Sequence, residues 1–261
     1  MKKVLLMGLA VVLVALLSVG GTLAFLQDED GSVNVMTVGM IDIEQLEYER
    51  AEIDGNSVQF LEFVQEKGIE PAVYPTDHTF PLHAPVELSE ATVGTGVPAP
   101  QKPLEIKLWD SEKLNNERDK IVVVDNVGIS AAYVRTCFAF EQGSLTLDEW
   151  KKAFYLNRNT TDWTWGDFTG DVKIGDDTFV IVTATYNEVL GGYETATPSL
   201  LQCAMSGKMG NDVMESFNGS CDIYAVTQAV QTVGFRSPQS ALDRAFGAFD
   251  ATVFENMERF S

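Results

Sequence analysis

The residue pattern predicts an all-β fold: an antiparallel β-sandwich with short helical insertions and a helix near the C-terminus. Three observations predict it. Most apolar residues fall at alternate positions or in short continuous runs, the patterns of half-buried and fully buried strands. Only two segments place apolar residues at helical spacing. The stretch Cys221 to Val233 is apolar on both faces, as a central strand covered from both sides requires.

The elements follow in chain order. Lys2 and Lys3 precede an apolar run, Val4 to Val19, and then Gly20-Gly21-Thr22-Leu23-Ala24 and Phe25-Leu26-Gln27-Asp28-Glu29-Asp30. Positive, apolar, small and then acidic is the layout of a secretory leader. Thr22 and Ala24 are the small residues before a cut that would leave Phe25 as the new N-terminus. A secretory apolar core is about 7–15 residues long and a spanning helix needs about 20. The run reaches the upper edge of the first range and, extended to Leu26, touches the second. Cleavage and retention as an anchor both put the remainder outside, because Lys2 and Lys3 hold the cytoplasmic side. Residues 1–24 are read as a signal peptide and 25–261 as one domain, long enough for one large β core. The expected location is secreted, in the extracellular matrix or at the cell surface. Membrane contact is expected only through the signal segment.

The full chain carries 38 acidic and 18 basic residues, a formal charge of −20, and loss of Lys2 and Lys3 makes it more negative still. Such a surface repels phosphate backbones and anionic lipid heads, which excludes nucleic acid as a natural partner. Self-assembly of so acidic a chain would depend on salt or divalent cations.

Val33, Val35, Met36 and Val38 have strand character and are donor-strand candidates: they fill another subunit's groove or form this domain's own first strand. The acidic Gln27–Gly31 stretch before them is too polar to bury in its own core. Ile41 and Ile43 alternate with Asp42 and Glu44. Residues 49–103 hold seven of the nine prolines and little periodicity, and read as an irregular excursion. Leu104, Ile106 and Leu108 resume the alternation. Ile121-Val122-Val123-Val124 ends in the turn-forming Asp125-Asn126-Val127-Gly128. Ala132, Val134, Thr136, Phe138 and Phe140 then share one strand face.

A helical insertion is expected over 141–177. Thr146-Leu147-Asp148-Glu149 has the form of a capping box, and Leu147, Trp150, Ala153 and Phe154 make one apolar stripe. Trp163-Thr164-Trp165 reads as a loop tucked over a sheet, with an exposed sugar-binding pair as the alternative. Thr178 to Tyr186 is rich in β-branched and aromatic residues. Ser237-Pro238 supplies a cap and a first-turn proline for a C-terminal helix bearing Ala241, Ala245, Phe246 and Phe249. Of the three cysteines, Cys203 and Cys221 flank a polar stretch and are the disulfide candidate, while Cys137 reads as a small buried hydrophobe.

Three stretches, in order, resemble the TasA/camelysin family of secreted Gram-positive proteins. The first is Gly20-Gly21-Thr22-Leu23-Ala24-Phe25 with Asn34, Met36-Thr37-Val38-Gly39 and Ile41-Asp42-Ile43. The second is Val124-Asp125-Asn126-Val127-Gly128 through Ala132-Tyr133-Val134-Arg135. The third runs from Tyr186, Val189-Leu190, Glu194-Thr195 and Thr197-Pro198-Ser199-Leu200-Leu201 to Asp222-Ile223 and Ala229-Val230-Gln231, with Tyr193 where the family has glycine. The resemblance implies a jelly-roll-like β-sandwich, exported through a SipW-like signal peptidase. It implies a structural protein of the extracellular or biofilm matrix whose partners are itself or other matrix proteins. It also implies that fibre-forming members donate an N-terminal strand to the next subunit.

Two other classes compete. Camelysin-like members have been classed as metallopeptidases, which makes a zinc-dependent surface peptidase one alternative. Its weak metal candidates are His78, His83 and Glu87. The two histidines are five apart with Pro81 between them, so they cannot share a helix face. A monomeric surface binding module is the other. No cofactor is expected. Asp28-Glu29-Asp30-Gly31 and Gly175-Asp176-Asp177 suggest calcium loops only faintly, since neither has the EF-hand ligand order. With two histidines and no nucleophile elbow, no serine or cysteine triad is legible.

Overall fold

The structure is a computed structural model. It describes residues 27–30, 41–53, 57–62, 73–75, 79–80, 104–105, 108, 117–206, 210, 213, 215–217 and 220–254. Fifteen strands are described: β1 (Gln27–Asp30), β2 (Ile43–Ile53), β3 (Ser57–Glu62), β4 (Val73–Pro75) and β5 (Thr79–Phe80) come first. Next are β6 (Leu104–Glu105), β7 (Glu117–Asp119), β8 (Ile121–Asn126), β9 (Ala132–Glu141) and β10 (Phe154–Arg158). The last five are β11 (Trp163–Trp165), β12 (Thr169–Ile174), β13 (Asp177–Tyr186), β14 (Leu200–Met205) and β15 (Ile223–Gln231). Two helices join them, α1 (Leu147–Ala153) and α2 (Pro238–Phe246), with a 3-10 turn at Ala251–Phe254.

The strands build an antiparallel β-sandwich. The principal sheet has the order β1-β15-β9-β13-β11, with β12 also paired to β13. Facing it are β4-β3-β2-β8 and β10-β14-β7. Backbone bonds join these two groups edge to edge. Lys120 N donates to Leu201 O at 3.0 Å, Ala196 N to Val124 O at 2.8 Å and Ser199 N to Val122 O at 2.9 Å.

The alternation read from the sequence sets the packing. On β9 the even residues Ala132, Val134, Phe138 and Phe140 enter the core between the sheets. They meet Ile41, Ile43, Val122, Val124, Val180, Val182 and Ala225 there. The odd residues face outward, where Cys137 and Ala139 pack with Phe179, Tyr224, Val226 and Phe254. Tyr133 and Val230 pack with Ala241 and Leu242 of α2. The segment after β15 therefore straps the outer face of the principal sheet, and β15 is covered on both faces as its composition requires. Each fully buried Phe or Leu contributes about 1.5–3 kcal/mol, which makes this two-sided burial the main source of order.

Both predicted helix starts are present. Thr146 and Glu149 make the reciprocal capping box, and Ser237 caps α2 with Pro238 in its first turn. The helical insertion, however, is mostly strand. Only Leu147–Ala153 is helical, and Phe154 begins β10, which pairs with β14. The aromatic Phe154 and Tyr155 suit a strand, and pairing with β14 holds the segment as a ladder. The excursion expected from residue 49 also begins later. β2 runs to Ile53 and turns back into β3, with Arg50 opposite Phe60 and Glu52 opposite Val58.

The disulfide candidate is not formed: Cys203, Cys221 and Cys137 are all free thiols. Cys203 is turned into the main core from β14, and burial pushes its pKa up to about 12. Cys221 points its Sγ at the Glu141 carbonyl, 3.9 Å away. Burial raises the Cys221 thiol first, and the Glu141 carboxylate and the Cys203 thiol raise it further. The two sulfurs are thus brought into one neighbourhood without a bond. Cys137 is fully buried, as expected.

Candidate functional site

The N-terminal segment decides the functional reading, and β15 receives it. β1 lies antiparallel on β15, with Gln27 opposite Val230, Asp28 opposite Ala229, Glu29 opposite Gln228 and Asp30 opposite Thr227. The first described strand is therefore the acidic stretch. The donor-strand candidates Val33, Val35, Met36 and Val38 lie outside the described residues. So do the signal-cleavage residues Thr22, Ala24 and Phe25. The acidic stretch, too polar to bury in a core, pairs at the sheet edge instead. It pairs because an edge strand uses backbone groups and needs no apolar side chains.

Each row across this edge carries a distinct chemistry. The inward row next to Asp30 is polar. Thr227 Oγ1 lies 3.0 Å from Thr136 Oγ1 on β9 and donates to Gln45 Oε1 at 2.7 Å. Gln45 Nε2 donates to the Ala225 carbonyl at 3.0 Å. Gln45 sits on β2, so this chain of polar groups ties the two sheets together. The outward row next to Glu29 contains Gln228 and then Arg135. Arg135 Nε donates to Gln228 Oε1 at 2.6 Å and Nη1 to Asp243 Oδ1 on α2 at 3.0 Å. Arg135 is 2% exposed, and its Nη2 has no hydrogen-bond partner among the described residues. Its guanidinium also lies 5.9 Å from the Phe246 ring.

β1 spans only four positions of the nine-residue β15. Among the described residues no other strand continues that edge from Val226 to Ile223. The Gln45 side chain caps one carbonyl there, at Ala225.

The sequence reading missed this polar network. The signal was present: Thr227-Gln228 interrupts an otherwise apolar strand, and buried polar residues require partners. Thr136 and Arg135 stand opposite them on β9.

The second and third sequence blocks meet at the end of β8. Asn126 is buried and serves as the hub. Its Nδ2 donates to Ser130 O at 2.8 Å, Gly191 O at 3.0 Å and Leu190 O at 3.3 Å, and its Oδ1 accepts from Gly128 N at 3.1 Å. Asp125 pairs with the Thr195 hydroxyl. Tyr193 adopts φ +59°, the left-handed region that glycine enters most readily. A Cβ at Gly192 would stand 2.5 Å from the Ile129 carbonyl oxygen, so only glycine fits this close crossing.

The remaining candidates separate. His78, His83 and Glu87 lie outside the described residues. Among the described residues no group of three His, Cys, Asp or Glu side chains is placed to hold a metal ion. Trp163 is buried and donates Nε1 to Thr197 O at 2.7 Å. Trp165 donates to Asn159 O at 3.2 Å and stacks on Phe138 at 5.3 Å. The pair is thus tucked over the sheet, as expected. Among the described residues no helix is long and apolar enough to cross a membrane, and the run Val4 to Val19 lies outside them.

No family model, curated protein or solved structure matches the chain.

Proposed function

We propose that the protein is a secreted structural component of the extracellular matrix whose subunits join by exchange of the N-terminal strand. The observation that supports the reading is that the N-terminal strand Gln27–Asp30 is polar and pairs only at the edge of the principal sheet, on β15.

The energetics support exchange. A ladder hydrogen bond contributes about 1 kcal/mol net, while ordering each residue costs about 1–2 kcal/mol. A four-residue strand of Gln27-Asp28-Glu29-Asp30 adds little apolar area to that balance. Its intramolecular pairing is marginal and easily replaced by the same strand from a neighbour. In an exchanged pair, Val33, Val35, Met36 and Val38 of each arm would supply apolar contacts to the neighbouring subunit. The leader constrains the arm while attached, so a SipW-like peptidase acting after Ala24 would release it.

A cross-strand cysteine experiment tests the reading. Asp28 stands opposite Ala229. Asp28→Cys and Ala229→Cys are made in separate proteins and mixed under assembly conditions with mild oxidant. Exchange gives an intermolecular crosslink between the two variants. Persistent home pairing gives a crosslink only when both substitutions are in one chain, and that result would sink the proposal.

A further inference from the structure

Arg158, at the end of β10, closes a ring of stacked groups at one end of the main core. Its guanidinium carbon lies 5.2 Å from the Trp165 centroid and 5.3 Å from that of Phe168. Trp165 stacks on Phe138, Phe138 on Phe140, Phe140 leans on Trp150 at 5.6 Å, and Trp150 returns to Phe168 at 5.8 Å. The pairing with β14 shifts register between Asn157 and Arg158, which frees the arginine from the regular ladder.

Stacking engages the face of a guanidinium and leaves its five in-plane N–H donors unused. Among the described residues no ion pair or hydrogen bond reaches the Arg158 side chain. Three other cations that are at least partly buried do have carboxylate partners: Arg50 with Asp119, Lys120 with Glu47 and Arg135 with Asp243. Arg158 is only partly buried, so its edge reaches solvent. Burial lowers its pKa, and no neighbouring carboxylate offsets that. The chain has 38 acidic residues against 18 basic, so this vacancy is not for want of carboxylates. A planar fork held rigid between two rings, with its edge open, is preorganised for a carboxylate.

We propose that the open edge of the Arg158 guanidinium docks a carboxylate of a second copy of this chain. Charge selects that occupant. Copies carrying a formal −20 repel one another, and a fixed cation without an internal partner is where their surfaces can meet favourably. The inference rests on the self-association proposed above and assigns it a contact away from β15.

Sedimentation velocity on the exported protein tests it, with electron microscopy of the same samples. The variants are Arg158→Gln, Arg158→Lys and, as a control, Arg244→Gln, which removes an exposed arginine of α2. Loss of a bidentate charge-assisted pair should raise the dissociation constant of the first dimer roughly tenfold in Arg158→Gln. Arg158→Lys keeps charge but loses the fork and should fall between, with Arg244→Gln near wild type. A thermal melt on each variant accompanies the measurement. If Arg158→Gln fails to fold, the comparison of Arg158→Lys with Arg244→Gln decides. Unchanged association in the Arg158 variants, or an equal loss in Arg244→Gln, overturns this contact while leaving strand exchange standing. A wild-type chain that stays monomeric overturns both.

Discussion

Asn126→Asp is nearly isosteric but reverses the chemistry of a buried hub. Asn126 is 1% exposed, and its Nδ2 reaches three carbonyl oxygens at 2.8, 3.0 and 3.3 Å. Removing the side chain loses two good hydrogen bonds at about 1 kcal/mol each and leaves the Ser130 carbonyl short of a donor, for another 1–3 kcal/mol. The Leu190 carbonyl still receives Ala132 N and the Gly191 carbonyl Glu194 N, which limits the damage. Asn126→Ala should therefore cost about 3 kcal/mol. Asn126→Asp should cost more at pH 7, about 4 kcal/mol or above, because it faces a buried carboxylate with three carbonyl oxygens. The pH dependence has a definite sign. The repulsion raises the carboxyl pKa in the folded state, so the folded chain binds the extra proton more readily. Stability of the aspartate variant relative to wild type must rise as pH falls through that raised pKa. Urea unfolding of wild type and both variants at pH 7 and pH 5 measures this. An aspartate variant as stable as wild type at pH 7, or one that loses relative stability on acidification, would refute the hub.

Tyr193→Gly relieves a left-handed backbone worth about 1–2 kcal/mol, so the thermal midpoint should rise; a fall would mean the tyrosine ring contributes more than its backbone costs. Asp119→Asn keeps its shape but breaks the paired contacts to Arg50 Nε and Nη2 at 2.5 and 2.8 Å; a loss of about 2 kcal/mol by chemical denaturation is expected, and a change below 0.5 would contradict it. Tyr186 and Cys203 are both held at about 12, chiefly by burial, so the fold favours their neutral protonated forms. That stability is intact below the unfolded values and lost as pH climbs towards 12. A urea midpoint that falls from pH 9.5 to 11.5, and falls less in Tyr186→Phe, bears this out, while a flat profile does not.

The sequence foretold the fold where side-chain period and burial agree. β9 alternates cleanly and its even residues fill the core, and β15 is apolar on both faces because α2 and the 3-10 turn cover its outer side. The two helix starts were legible because capping uses local residues such as Thr146, Glu149, Ser237 and Pro238. What failed was governed by distant partners. β10 reads like the continuation of α1 until β14 is alongside it to pair with. The pairing of β2 with β3 was hidden by the prolines further on. The acidic β1 has no core-facing pattern, since an edge strand is held by its backbone. The residues that pair on β15, Gln27–Asp30, were therefore not the ones that side-chain pattern singled out in the N-terminal arm.

The most direct measurement compares precursor and processed protein. Export is followed by N-terminal sequencing, and the full-length chain and the chain beginning at Phe25 are imaged by electron microscopy under identical conditions. Strand exchange after processing predicts fibres from the chain that begins at Phe25 and none from the precursor. Equal fibre formation by both, or by neither, would contradict it.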